Sequence, residues 1–195
     1  MLILGSFGLS SKVNRQKLTE LLPDRKGKML IIPLASPYEA ETGRKEKVYA
    51  AEAGFDPESI FIFDSSKPDA LPGMRFDYIS VPGGNTFKLL HLVKKFALDG
   101  FIRQQVAAGA VYLGFSAGAY LACPDVWYVH NFDDNNHITN GDFTALGLTD
   151  KYFLCHYDRR GIEEIMMCRR DLGFGPELIT IKDEQLIVLG EAQNG

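Results

Sequence analysis

Short apolar runs recur along the chain, separated by stretches in which apolar residues return every three or four positions. The runs at Met1–Leu4, Met29–Pro33, Ser59–Phe63, Tyr78–Val81, Ala110–Leu113 and Tyr152–Cys155 predict strands. Leu30-Ile31-Ile32 has no polar alternate, as expected of a strand covered on both faces of a parallel sheet. The segments Lys12–Leu22, Arg44–Ala53, Thr86–Phe96, Leu98–Ala108, Ala117–Cys123 and Gly161–Leu172 predict helices. Alternation of the two kinds predicts an α/β fold, a mostly parallel sheet flanked by helices in the flavodoxin-like manner. Two further runs, Leu178–Ile181 and Leu186–Leu189, flank Asp183-Glu184-Gln185 and read as an antiparallel hairpin.

Ligands of open parallel sheets gather beyond the carboxyl ends of the strands. Four segments fall there: Pro33-Leu34-Ala35-Ser36, Pro82-Gly83-Gly84-Asn85-Thr86, Gly114-Phe115-Ser116-Ala117-Gly118 and His156-Tyr157-Asp158. The fold should bring them to one edge.

Composition narrows the function. With 195 residues, 46% of them hydrophobic, the chain can bury one sizeable core and reads as a single domain over residues 1–195. A net charge of -4 with scattered Lys and Arg argues against a nucleic-acid partner. No apolar run approaches the roughly 20 residues of a membrane helix. Met1-Leu2-Ile3-Leu4 is too short for a signal-peptide core and lacks a basic start, which predicts a cytoplasmic protein. Three cysteines without C-x-x-C spacing predict reduced thiols, neither a disulfide framework nor a zinc site.

The chemistry centres on Ser116. A G-x-S-x-G between a strand and a helix forces a tight turn that lifts the hydroxyl into the open. Such a serine needs a base within hydrogen-bond reach. Of the four histidines, only His156 combines a strand end with a position downstream of the serine; His91 lies within a helix, and His130 and His137 in a polar stretch. The acid that would hold the histidine is open among Asp133 (slightly favoured), Asp134 and Glu184, while Asp158 reads as a partner of Arg159. Oxyanion donors are expected from the N–H of Ala117 and from Gly83-Gly84, with Thr86 capping the next helix. Gly-Gly-Asn-Thr lacks the Lys of a P-loop and the spacing of a dinucleotide fingerprint, so no cofactor is implied. His130, Asp133, Asp134 and His137 could be read as metal ligands, but they lack helical i, i+4 presentation and no metal is expected. Cys155 reads as core, because neighbours on a strand face opposite ways.

The segments Ile32-Pro33-Leu34-Ala35-Ser36, Pro82-Gly83-Gly84-Asn85-Thr86-Phe87-Lys88-Leu89-Leu90, Gly114-Phe115-Ser116-Ala117-Gly118-Ala119, Ala122-Cys123-Pro124 and His156-Tyr157-Asp158 together resemble the S51 family of serine peptidases, the dipeptidase E-like enzymes. The resemblance implies a class I glutamine-amidotransferase-like fold and a cytoplasmic, metal-independent peptidase that cleaves short peptides, with N-terminal Asp preferred in dipeptidase E. It implies Ser116 as nucleophile, His156 as base, and Gly84 and Ala117 as the oxyanion hole. Where that pattern has Asn-Asp after its Cys-Pro, this chain has Asn131-Phe132 and then Asp133; some members use Glu, which keeps Glu184 in view. Asn85, Thr86, Arg159 and Arg160 are the substrate-binding candidates, an arginine suiting a substrate carboxylate. A monomer or homodimer is expected. The competing readings are a non-catalytic binding module on the same fold and a non-peptide acyl hydrolase, an esterase or amidase.

Overall fold

The computed structural model describes residues 1–71, 73–173 and 175–190. In chain order its elements are β1 (Leu2–Gly5), α1 (Lys12–Leu21), β2 (Met29–Ile31), α2 (Glu39–Glu52), β3 (Ile60–Ile62), β4 (Tyr78–Val81), α3 (Thr86–Lys95) and α4 (Leu98–Ala107). There follow β5 (Val111–Phe115), α5 (Ala117–Leu121), β6 (Tyr152–Leu154), α6 (Ile162–Leu172), β7 (Leu178–Thr180) and β8 (Leu186–Leu189). Six strands form one sheet in the order β3-β2-β4-β5-β1-β8. Its first five strands are parallel, and β8 closes the edge antiparallel to β1.

Strand alternation divides the core in two. Leu2, Leu4, Leu30, Ile79, Val81 and Tyr112 face one side, where Phe87, Leu89, Leu90 and Val93 of α3 and Leu98 and Ile102 of α4 cover them. Ile3, Met29, Ile31, Tyr78, Leu113 and Phe115 face the other, against Leu18 of α1, Ala50 of α2 and the flanking Leu22 and Ala53. Helices on both faces explain why β1, β2 and β4 are buried throughout.

Two expectations need correction. The C-terminal runs do not form a hairpin: β7 pairs in parallel with β6 as a second, two-stranded sheet, while β8 crosses to β1. The turn at Asp183 therefore joins two sheets and ends beside β1. Secondly, α2 begins at Glu39, five residues earlier than the predicted Arg44. Glycine weakens helices, and Gly43 stands directly before that predicted start. Here it lies inside α2 and lets the helix press on the sheet: a Cβ there would stand 2.5 Å from Ile62 Cγ2.

Candidate active site

Ser116 sits between β5 and α5 with φ 50° and ψ -109°, a conformation that side-chain-bearing residues avoid. The backbone crossing that enforces it depends on glycine. A Cβ on Gly118 would lie 2.0 Å from the carbonyl oxygen of Val81, and one on Gly114 would lie 2.6 Å from that of Gly118. The helix can pass so close to β4 and β5 only where those side chains are missing.

His156 follows β6 and also has positive φ, 58°. Its Nε2 lies 3.2 Å from Ser116 Oγ, and its Nδ1 lies 2.6 Å from Asp183 Oδ1. The carboxylate can only accept, so Nδ1 carries the proton and the lone pair of Nε2 faces the serine hydroxyl. Asp183 is 8% exposed and His156 25%. The Asp183 side chain is held on two sides, by His156 and by an ion pair from Arg159 to Oδ2. The N–H of Asp183 donates to Asp158 Oδ1 at 3.1 Å. The ring of Phe7 meets the imidazole edge-on, with centroids 5.6 Å apart.

The acid beside the histidine is thus Asp183, and the three favoured carboxylates stand elsewhere. Asp133 Oδ2 accepts from the N–H and the hydroxyl of Thr86, at 2.8 and 2.6 Å. It answers the free N–H groups at the start of α3, where a negative charge is favoured. Asp134 accepts from the Asn136 N–H through its carboxylate and from the Asn85 side chain through its carbonyl. Glu184 is exposed and accepts from Ser11 Oγ. Asp158 holds the Asp183 backbone instead of pairing with Arg159. Asp183 lay hidden in the supposed hairpin turn; the usable signal was a carboxylate two residues beyond an apolar run, at the sheet edge shared with His156.

The other named residues are also located. Asn85, not Thr86, caps α3, accepting from the Lys88 N–H at 2.7 Å. Gly84 has φ 143°, and its backbone lies so close to Ala35 that a Cβ would meet the carbonyl oxygen at 2.4 Å. Gly83 lies against the serine, a Cβ there being 3.1 Å from Ser116 Cβ. Ala117 opens α5, so its N–H has no partner within the helix. Arg160 stacks on Phe132, 3.5 Å from the ring centroid, and binds the Cys155 carbonyl and Glu164. Arg159 lies over the Phe7 ring while it holds Asp183.

Cys155 is fully buried, and burial pushes its thiol up to about 12; Cys123 is raised to the same level for the same reason. Neither can supply a thiolate near neutral pH. His130 is turned to the Trp127 carbonyl and His91 and His137 are exposed. Among the described residues no group of three His, Cys, Asp or Glu side chains is placed to hold a metal ion. No described helix is long and apolar enough to cross a membrane.

The sequence model of peptidase family S51 matches residues 1–194. An uncharacterized peptidase of Listeria monocytogenes is 34% identical over 152 residues, 75% of this chain and 74% of that protein. Peptidase E of Salmonella arizonae is 42% identical over 111 residues, 54% of this chain, and the match spans about half of that relative, 47%. Among solved structures, a candidate peptidase E protein of Listeria monocytogenes superposes with a TM-score of 0.72 at 26% identity, covering 95% of this chain and 91% of the other. A peptidase from an acI-B1 Actinobacterium shares the fold, with a TM-score of 0.67 at 17% identity over 93% of this chain and 80% of its own.

Proposed function

This chain belongs to peptidase family S51, and from that premise we propose that it is a serine peptidase of short peptides, working through Ser116, His156 and Asp183. The observation that carries the reading is the continuous line from Ser116 Oγ through both ring nitrogens of His156 to Asp183. As the hydroxyl attacks the scissile carbonyl, its proton passes to Nε2 and an Oγ–C bond forms. Asp183 keeps the imidazole in the needed tautomer and stabilises the imidazolium without taking the proton. The N–H groups of Ala117 and Gly84 face the developing oxyanion. His156 then returns the proton to the leaving amine as the C–N bond breaks. Water, deprotonated by the same nitrogen, releases the acyl group and restores the serine.

Cytoplasmic residence belongs to this proposal, supported by three free, buried cysteines. The N-terminal Asp preference is its most specific part. The two arginines offered for it already engage carboxylates of the chain itself, Asp183 and Glu164. A substrate carboxylate would compete for Arg159, the more exposed of the two, at 63% against 14%.

The test is hydrolysis of a dipeptide library that includes Asp-Xaa members, by the wild type and by Ser116→Ala. Turnover that falls by about three orders of magnitude or more in the variant supports the mechanism; unchanged turnover contradicts it. Cleavage spread evenly over the library would remove the aspartyl preference alone. Hydrolysis of a p-nitrophenyl ester with no dipeptide cleaved would point to a different acyl hydrolase.

A further inference from the structure

Three consecutive residues at the end of β1 each hold one member of the proposed triad. The Ser116 N–H donates to the Gly5 carbonyl at 2.8 Å. The His156 N–H donates to Ser6 Oγ at 2.8 Å. The Phe7 N–H donates to the Asp183 carbonyl at 3.0 Å. The first and last of these bonds are backbone to backbone and draw on no side-chain atom. The middle one requires a hydroxyl.

Ser6 uses both capacities of that hydroxyl. While accepting from His156, it donates to the Ile181 carbonyl at 2.9 Å, two residues before Asp183. Ser6 is 2% exposed, so water cannot readily replace either bond. One side chain thus joins the turn that carries the imidazole to the strand end that carries the carboxylate. The same carbonyl of Ile181 also receives the Tyr157 N–H at 3.0 Å, which closes the link from the other side.

His156 needs such a link. Its left-handed backbone departs from the strand it follows, and a conformation of that kind persists only where the surroundings hold it. The contact it must keep has little margin, because 3.2 Å from Nε2 to Ser116 Oγ is at the long end of hydrogen bonding. A small rotation of the turn would break it while leaving the sheet intact.

We propose that Ser6 is a positioning residue for the triad: its buried hydroxyl fixes the turn so that His156 meets Ser116 and Asp183 at once. This rests on the peptidase reading above, so the test uses two readouts, one of which needs no chemistry at Ser116. The first is the rate at which a fluorophosphonate labels Ser116. The second is the low-field proton resonance of His156 Nδ1–H, assigned by its loss in Asp183→Asn.

For Ser6→Ala, labelling should slow by about tenfold to a hundredfold, the size of effect that small misplacements produce. The low-field resonance should broaden or vanish, with the remaining amide spectrum still that of a folded protein. Ser6→Cys keeps the shape of the side chain with a larger, poorer donor and acceptor and should fall between. It also carries the test if the alanine variant does not fold. Wild-type labelling with an unaltered resonance in either variant would overturn the proposal. So would slowed labelling with the resonance unchanged, since the imidazole would then be seated without Ser6. A wild-type protein that takes no label contradicts the peptidase reading instead, and the resonance still decides the role of Ser6.

Discussion

At the scale of single residues, the carboxylate at His156 is Asp183, where the sequence pointed to Asp133. Asp183→Asn should lower kcat/KM on a cleaved peptide by about three to four orders of magnitude, because the amide can favour the wrong histidine tautomer. Asp133→Asn retains an oxygen for Thr86 and should leave kcat/KM within a few fold. Steady-state kinetics of the two variants side by side checks both. The meeting of Ser116 and His156 was legible because each carries a local signature, glycines around a serine after a strand and a histidine at a strand end. The carboxylate beside His156 was not, because such an acid has no sequence signature of its own. Only the parallel pairing of β7 with β6 brings Asp183 to His156, and an apolar run does not name its partner strand. Asp133, between the serine and the histidine in sequence, was attractive for order alone; its carboxylate is spent on the start of α3.

Among the elements, α3 shows what that carboxylate does. Its first turn is served twice, by Asn85 at the Lys88 N–H and by Asp133 at Thr86. Asp133→Ala should cost about 1 kcal/mol of unfolding free energy, the usual worth of a lost cap, read from urea denaturation at pH 7. A loss below a few tenths would mean that water serves Thr86 equally well. The existence and type of the strands and helices were legible through the described residues, since the inner strands β1, β2 and β4 are apolar runs that two helical layers bury. Their boundaries and partners were less so. The α2 helix runs through Gly43, where packing on Ile62 leaves no room for a side chain, and the Asp183 turn looked like a hairpin because two apolar runs flank it. In both cases a tertiary contact outweighed the local preference.

Across the whole molecule, stability should respond to a group remote in sequence from the triad. Glu46 on α2 is 8% exposed, and one of its oxygens has no hydrogen-bond partner among the described residues. Burial, partly offset by the attraction of Arg15, pushes its carboxyl from 4.5 up to about 7. The folded protein therefore holds a proton that the unfolded chain releases near 4.5. The contribution is fully present below that pH and is lost as the pH rises through about 7, roughly 3 kcal/mol in all. Glu46→Gln should gain stability over the wild type as the pH goes from 4 to 8, by chemical denaturation at each pH; a constant difference would contradict the assignment. The central claim is that one sheet edge assembles Ser116, His156 and Asp183 into a working nucleophile. It is tested most directly by mass spectrometry of the fluorophosphonate-treated protein after proteolysis. A single adduct is expected, on Ser116, absent from His156→Ala and slow to appear in Asp183→Asn. A folded wild-type protein that carries no adduct, or carries it on another residue, would contradict it.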